Sequence, residues 1–196
     1  MTYSAGEFVS RWETEKGILY LNLILQNCKS EDKLRELARS FFGFNEDYID
    51  LRGVAFSNVE INGADLSYCD LEFSQFNNVR IIGGEFDCSN LREAFFKKSE
   101  FTSCRFISAI CDDSFVEDCT FRNTSLNGTS FVNSRIKGLT IENGDLMRTN
   151  FTGSSLSGIK VNGKVWLKSS ILPESIRPIL EEQIESDAYL YRVKWV

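Results

Sequence analysis

Side chains able to do chemistry are scarce in this 196-residue chain. It contains no histidine, so no Ser-His or Cys-His pair can form and the commonest general base is missing. Six cysteines, at 28, 69, 88, 104, 111 and 119, show no Cys-x-x-Cys spacing. Without histidine the mixed zinc sites are out of reach, so these cysteines read as reduced core or surface thiols. Asp112, Asp113, Glu117 and Asp118 form the densest acidic cluster. A solvated face is its first reading, a docking patch for a basic partner the second, and a metal site a distant third. Apart from the Gly83-Gly84 pair the glycines occur singly, giving neither a P-loop nor a dinucleotide fingerprint. Asn123, Asn127 and Asn150 match N-x-S/T, a pattern that a chain rich in Asn, Ser and Thr generates by accident. The expectation is a protein with no catalytic residue, no metal and no cofactor.

Composition narrows the partners. A formal charge of -6 and a pI near 4.9 argue against nonspecific attraction to nucleic acid or anionic lipid, which need a basic surface. The longest apolar stretch, Ile18 to Leu25, contains Asn22 and is too short to span a bilayer. No basic leader with an apolar run opens the chain. Direct nucleic-acid binding and membrane association are therefore not expected, and a cytoplasmic location is.

What must position any site is a rhythm of five. Large apolar residues stand at 141, 146, 151, 156 and 161, and the same step holds from Leu51 to Trp166 without an insertion, twenty-four positions in all. Two residues before these, twenty of the twenty-four positions are Ala, Ser, Thr, Cys, Gly or Val. Neither a helix nor a flat strand has a period of five. Three extended residues turn the small and the large side chain inward and the one between them outward, and the remaining two residues turn a corner. Eight corner positions are Gly (53, 63, 83, 128, 138, 153, 158, 163) and five are Asn (58, 78, 123, 133, 143), residues that accept the positive φ of a type II turn. Short sides and corners make a coil of polygonal section, and stacked coils make a solenoid.

Units such as Ala64-Asp65-Leu66-Ser67-Tyr68, Ser89-Asn90-Leu91-Arg92-Glu93 and Gly144-Asp145-Leu146-Met147-Arg148 resemble the A(D/N)LXX motif of the pentapeptide-repeat proteins. The resemblance covers about three-fifths of the chain and implies a right-handed quadrilateral β-helix with four repeats per coil. The expected fold is thus an all-β solenoid of about six coils over residues 49–168. At a strand spacing of ~4.8 Å it would stand roughly 29 Å tall. Lys164 and Trp166 suggest that the last coil opens.

A solenoid needs caps over its exposed ends. Residues 1–48 read as a helical N-terminal cap. Ser4-Ala-Gly-Glu7 is a capping box ahead of a helix carrying Phe8 and Trp12. Ile18 to Leu25 leans to helix, and a helix after Ser30 carries a stripe of Leu34, Leu37, Ala38, Phe41 and Phe42 ended by Gly43. Residues 169–196 read as a C-terminal helix and strand. Ser175 would cap the helix, which runs to about Ser186 with Pro178 in its first turn and Ile176, Ile179, Leu180 and Ile184 on its apolar side. The strand alternates Tyr189, Tyr191, Val193 and Trp195 on one side. It either folds back into the cap or offers a pairing edge to a partner or second copy. Ile176, Leu180, Ile184, Tyr191 and Trp195 are accordingly candidates for cap or homodimer contacts, and in gyrase-protecting relatives the C-terminal region joins two solenoids.

One irregularity marks a candidate site. At Ile110-Cys111 and Phe115-Val116 the residue before the inward position is larger than the inward residue itself. Keeping the register leaves Ile110 and Phe115 outward, because a slip would drive Asp113 into the crowded interior. With four repeats per coil Phe115 then stacks over Phe95, with Phe73 diagonal to them and Asp112, Asp113, Lys97 and Lys98 as a charged rim. An apolar patch rimmed by charge suits a protein-binding site, unless the N-terminal segment folds over it. The expected function is a non-enzymatic protein-protein interaction module, of the kind used by immunity or regulatory proteins, with a protein partner and a possible homodimer. The alternative comes from the resemblance, whose gyrase-protecting members mimic duplex DNA towards type II topoisomerases. From Leu51 to Lys168 there are 14 Asp plus Glu against 13 Lys plus Arg, a poor match to an extended anionic surface.

Overall fold

The computed structural model describes residues 4–41, 49–183 and 192–196. From Ile49 the backbone winds as a four-sided coil in which residues twenty apart stack. Gln75 lies over Ala55, Phe95 over Gln75, Phe115 over Phe95, Arg135 over Phe115 and Ser155 over Arg135. These strands, Ala55–Ser57 through Ser155–Ser157, make the first face, and Glu60–Asn62 through Lys160–Asn162 make the second, each of six parallel strands. The third face is pinned by one bridging residue per coil, from Asp65 to Trp166. The fourth runs from Ile49–Asp50 through Asn90, Ile110, Ser130 and Asn150 to Ile171–Leu172. The stack makes six coils and enters a seventh.

Each position of the repeat has its own physical task. Inward rings stack coil on coil: Phe56 on Phe76 at 5.3 Å, Phe76 on Phe96 at 5.0 Å and Phe86 on Phe106 at 4.4 Å between centroids. Columns on adjoining faces meet edge to face, as Phe76 does Phe86 at 73°, a geometry favoured by the ring quadrupole. The small inward column does more than save volume. Hydroxyls of Ser99, Thr124, Thr129, Ser134 and Thr149 donate to the carbonyls of Phe76, Phe101, Phe106, Cys111 and Leu126 in the coil beneath, at 2.6–3.0 Å. These bonds tie each coil to the one beneath it in addition to the backbone ladder, and the Phe106 and Leu126 carbonyls accept backbone amides as well. The Asp or Asn of the motif faces outward and closes a local turn, Asp145 accepting from the Met147 amide at 2.9 Å and Asn150 from Thr152 at 3.0 Å. All thirteen Gly and Asn corners have positive φ. So do Phe73, Lys98 and Asp113, at about 1 kcal/mol or more each.

The rhythm of five, expected to reach Trp166, ends at Val161. The stacking interval lengthens to twenty-one between Asp145 and Trp166 and between Asn150 and Ile171. Val165 and Leu167 then turn inward, and Trp166 is 48% exposed. The strict rhythm would put Lys164 at the small inward position, burying an ammonium without a partner; the extra residue puts Val165 there instead.

The N-terminal region covers the first coil. Helix α1 (Ala5–Ser10) starts at the expected capping box, but it stops short of Trp12, which sits on a 3-10 turn, Arg11–Glu13. Helix α2 (Glu15–Asn27) includes Ile18 to Leu25, and Thr14 caps it by accepting from the Gly17 amide at 3.0 Å. Gly17 is needed there: a Cβ would lie 2.6 Å from Trp12 Cα. Helix α3 (Glu31–Phe41) buries Leu34; the expected contributions of Ala38, Phe41, Phe42 and Gly43 lie outside the described side chains. Tyr20, Ile24 and Leu34 join Ile49 and Leu51 in one continuous core.

At the other end Ser175 is not the helix cap. A 3-10 turn, Glu174–Ile176, follows Pro173 and leads into α4 (Arg177–Gln183), with Pro178 in its first turn. Gln183 accepts from the Val161 amide at 2.7 Å, satisfying a last-rung donor. Lys194–Trp195 pairs in parallel with Ile171–Leu172, so the final strand folds back as an eighth rung of the fourth face. Among the described residues no helix is long and apolar enough to cross a membrane.

Phe121 lies within this interior, between Phe101 and Phe106. Phe121→Asp is expected to cost more than about 4 kcal/mol and unfold the solenoid. Circular dichroism and thermal melting check this, and an unchanged melting temperature would place that column outside the core.

Candidate functional site

The strand geometry that hides one side chain in two on each face displays the others in straight columns. On the first face the outward columns read Gln75, Phe95, Phe115, Arg135 and Asn77, Lys97, Glu117, Lys137, in unbroken parallel register. Phe95 and Phe115 lie with centroids 4.9 Å apart and planes 4° from parallel. Both are half-buried, each shielding the other. The register is unslipped: Cys111 and Val116 are inward and buried, while Ile110 faces out on the fourth face between Asn90 and Ser130. Beside the ring pair Lys97 Nζ meets Glu117 Oε2 at 2.8 Å.

The remaining candidates fare differently. Phe73 is not part of an open patch, because Phe8 of α1 stacks on it at 6.0 Å. Asp112 accepts from the Val132 amide at 3.0 Å and from the Ser130 hydroxyl, with Arg92 3.6 Å away; its carboxylate is engaged in joining one coil to the next. Asp113 stands exposed at its corner. Ile176 and Leu180 are buried over the end of the core. Trp195 is half-buried, its ring 5.4 Å from the Arg177 guanidinium. Ile184 and Tyr191 lie outside the described residues. Burial pushes the Cys104 and Cys119 thiols up to about 11, which holds them in the unreactive protonated form.

Charge on the second face alternates in sign up the stack. Arg80 reaches Glu60 at 3.7 Å and Glu100 at 3.8 Å; Arg122 reaches Glu100 at 3.5 Å and Glu142 at 2.7 Å. Opposite charges twenty or twenty-two residues apart thus become neighbours. Sequence reading missed this pairing, although the spacing was there to find.

The fold and these columns agree with what sequence comparison finds. The family described as "Pentapeptide repeat region" matches residues 94–170, and "Pentapeptide repeats (8 copies)" matches residues 48–83, together more than half of the chain. The chain belongs to the pentapeptide-repeat family. No curated protein sequence matches it. Among solved structures it is similar to the plasmid-mediated fluoroquinolone resistance protein QnrB1, with 14% identity, a TM-score of 0.42, and coverage of 60% of this chain and 71% of the other. It is also similar to the pentapeptide-repeat protein Rfr23 of the cyanobacterium Cyanothece 51142, with 15% identity, a TM-score of 0.37, and coverage of 61% and 88%. A third is a pentapeptide-repeat protein of the Arabidopsis thaliana thylakoid lumen, with 21% identity, a TM-score of 0.36, and coverage of 58% and 74%.

In this pentapeptide-repeat chain the rim of the candidate face next to coil one is closed by a latch that sequence reading did not find. Arg11 donates twice to the Asp50 carboxylate, at 3.0 and 2.8 Å, and once to the Arg52 carbonyl at 2.8 Å. The Trp12 indole donates to the same carbonyl at 2.8 Å. Arg52 lies 4.0 Å over the Phe8 ring and also bonds Asp50. Gly53 permits the approach, since a Cβ there would lie 2.6 Å from the Phe8 backbone. Burial pushes the Asp50 carboxyl up, but hydrogen bonds from Arg11 and Arg52 outweigh it and hold the group well below the usual carboxylate range. A depressed carboxyl contributes stability that is complete above its unfolded value of about 4 and is lost as pH falls through the folded value. Asp50→Asn is therefore expected to cost about 2–4 kcal/mol at pH 7 and to carry a smaller penalty at pH 2, part-way through the window in which the contribution is lost. Amide exchange at residues 8–12 and 50–57, compared at the two pH values, checks this; equal penalties at both would contradict it.

Proposed function

We propose that this protein is a non-enzymatic protein-interaction module that acts by holding another protein against the first face of its solenoid. One observation carries this reading: Phe95 and Phe115 are stacked outward on consecutive rungs, where the core has no use for them. Two aromatic rings fixed by backbone ladders lose little entropy on binding and make effective anchors. A charged rim of Lys97, Glu117, Arg135 and Lys137 surrounds them, as at the edges of protein interfaces. A rigid module of this kind works by occupying a partner's surface, as immunity and regulatory proteins do. The alternative, mimicry of duplex DNA towards a type II topoisomerase, calls for an extended anionic face. The alternating ladder Glu60, Arg80, Glu100, Arg122, Glu142 favours docking over mimicry.

The test is affinity capture from the native host with mass spectrometry, using the wild type and Phe95→Ser with Phe115→Ser. The double variant is expected to lose no more than about 2 kcal/mol of stability and to lose its captured partner at least tenfold. Retained capture, or collapse of the fold, would show that this face is not the interface.

A further inference from the structure

The first face is complementary to itself under one twofold operation. Its outward side chains form two straight columns over six rungs, Ala55, Gln75, Phe95, Phe115, Arg135, Ser155 and Ser57, Asn77, Lys97, Glu117, Lys137, Ser157. Consider an axis lying in the plane of contact, parallel to the strands and midway between the rungs of Phe95 and Phe115. Rotation about it sets a second copy face to face and antiparallel, with each column against its own counterpart read in reverse. Phe95 then opposes Phe115 of the second copy, so two stacked pairs join as one cluster of four rings. Lys97 opposes Glu117 of the second copy. Arg135 opposes Gln75, Lys137 opposes Asn77, and the Ala and Ser positions of the outer rungs oppose one another. At the corner beside the second column Lys98 meets Asp118. At the other corner Arg92 meets Asp112, and Glu93 meets Asp113 as the single like-charge contact, both members exposed and therefore inexpensive.

The competing twofold, with its axis parallel to the solenoid, sets Phe95 against Lys97 and Phe115 against Glu117. That arrangement covers charge with rings and pairs nothing. Both operations are isologous, each contact recurring in reverse; the antiparallel one alone sets ring against ring and Lys97 against Glu117.

We infer that the occupant of the first face is a second copy of this chain, docked antiparallel about an axis between Phe95 and Phe115. This rests on the reading of that face as a docking surface and names its partner. The contact is small. Strands about 10 Å long over six rungs at ~4.8 Å give roughly 290 Å² per copy, below the ~800 Å² of a standard interface. Self-association on the order of 10–300 μM is expected, weak enough to exchange for a tighter partner at the same rings.

Sedimentation velocity of the full-length chain from about 5 to 500 μM tests it. The wild type should pass from monomer to dimer, and Phe95→Ser with Phe115→Ser should stay monomeric. Lys97→Glu and Glu117→Lys each set like charges across the axis and should weaken the dimer severalfold, while the two together restore it. Trp195→Ser should leave it unchanged. A wild type monomeric at 500 μM, a dimer surviving in the double Phe variant, or a charge swap that fails to restore association would each overturn the inference. A monomeric wild type whose double Phe variant still loses its host partner would overturn the homotypic occupant alone; retention of both dimer and host partner would overturn the docking face with it.

Discussion

Everything in this molecule depends on the coincidence of residue i with residue i+20. The backbone ladders of the first two faces hold that interval without exception from Ala55 to Asn162. Because the interval is constant, a choice made once per coil becomes a column. Phe in the inward column becomes a stack of rings, Ser or Thr in the small column becomes a ladder of hydroxyl-to-carbonyl bonds, and alternating Glu and Arg outside becomes a chain of ion pairs. A solenoid gains stability in this additive, neighbour-to-neighbour way, so interior and surface are organised by one lattice.

That lattice explains which features were legible in the sequence. The inward column, the corners and the register at Ile110 and Phe115 could be read because each violates or obeys a rule of side-chain size within five residues. The stack of Phe115 on Phe95 could be read because the interval of twenty follows from four repeats per coil. The latch of Arg11 on Asp50 could not, since its partners are thirty-nine residues apart and belong to elements with no common period. Trp12 was legible as an apolar residue but not as a donor to Arg52. The placement of Trp166 failed for a local reason: an extra residue costs nothing in pattern and is revealed only by what burial of Lys164 would cost.

The same lattice separates structural from functional side chains. Asp112 looked like a docking residue and proves to be a fastener between coils. Phe73 looked like the start of an exposed ridge and proves to be the seat of Phe8. Phe95 and Phe115 remain, two large apolar groups on the polar side of the pleat, held by rungs whose inward residues need no help from them. Their face carries both signs of charge, with Lys97 and Glu117 on the two rungs that hold the rings.

The account rests on the interval of twenty, and excision tests it most directly. Deleting residues 123–142 removes one whole coil and rejoins Arg122 to Asn143 in phase; deleting residues 123–141 removes one residue fewer and turns every later side chain out of register. The first variant is expected to unfold cooperatively from a β-rich state at a melting temperature within about 10 °C of the wild type, and the second to show neither cooperative transition nor protected amides. Equal behaviour of the two, folded or unfolded, would contradict it.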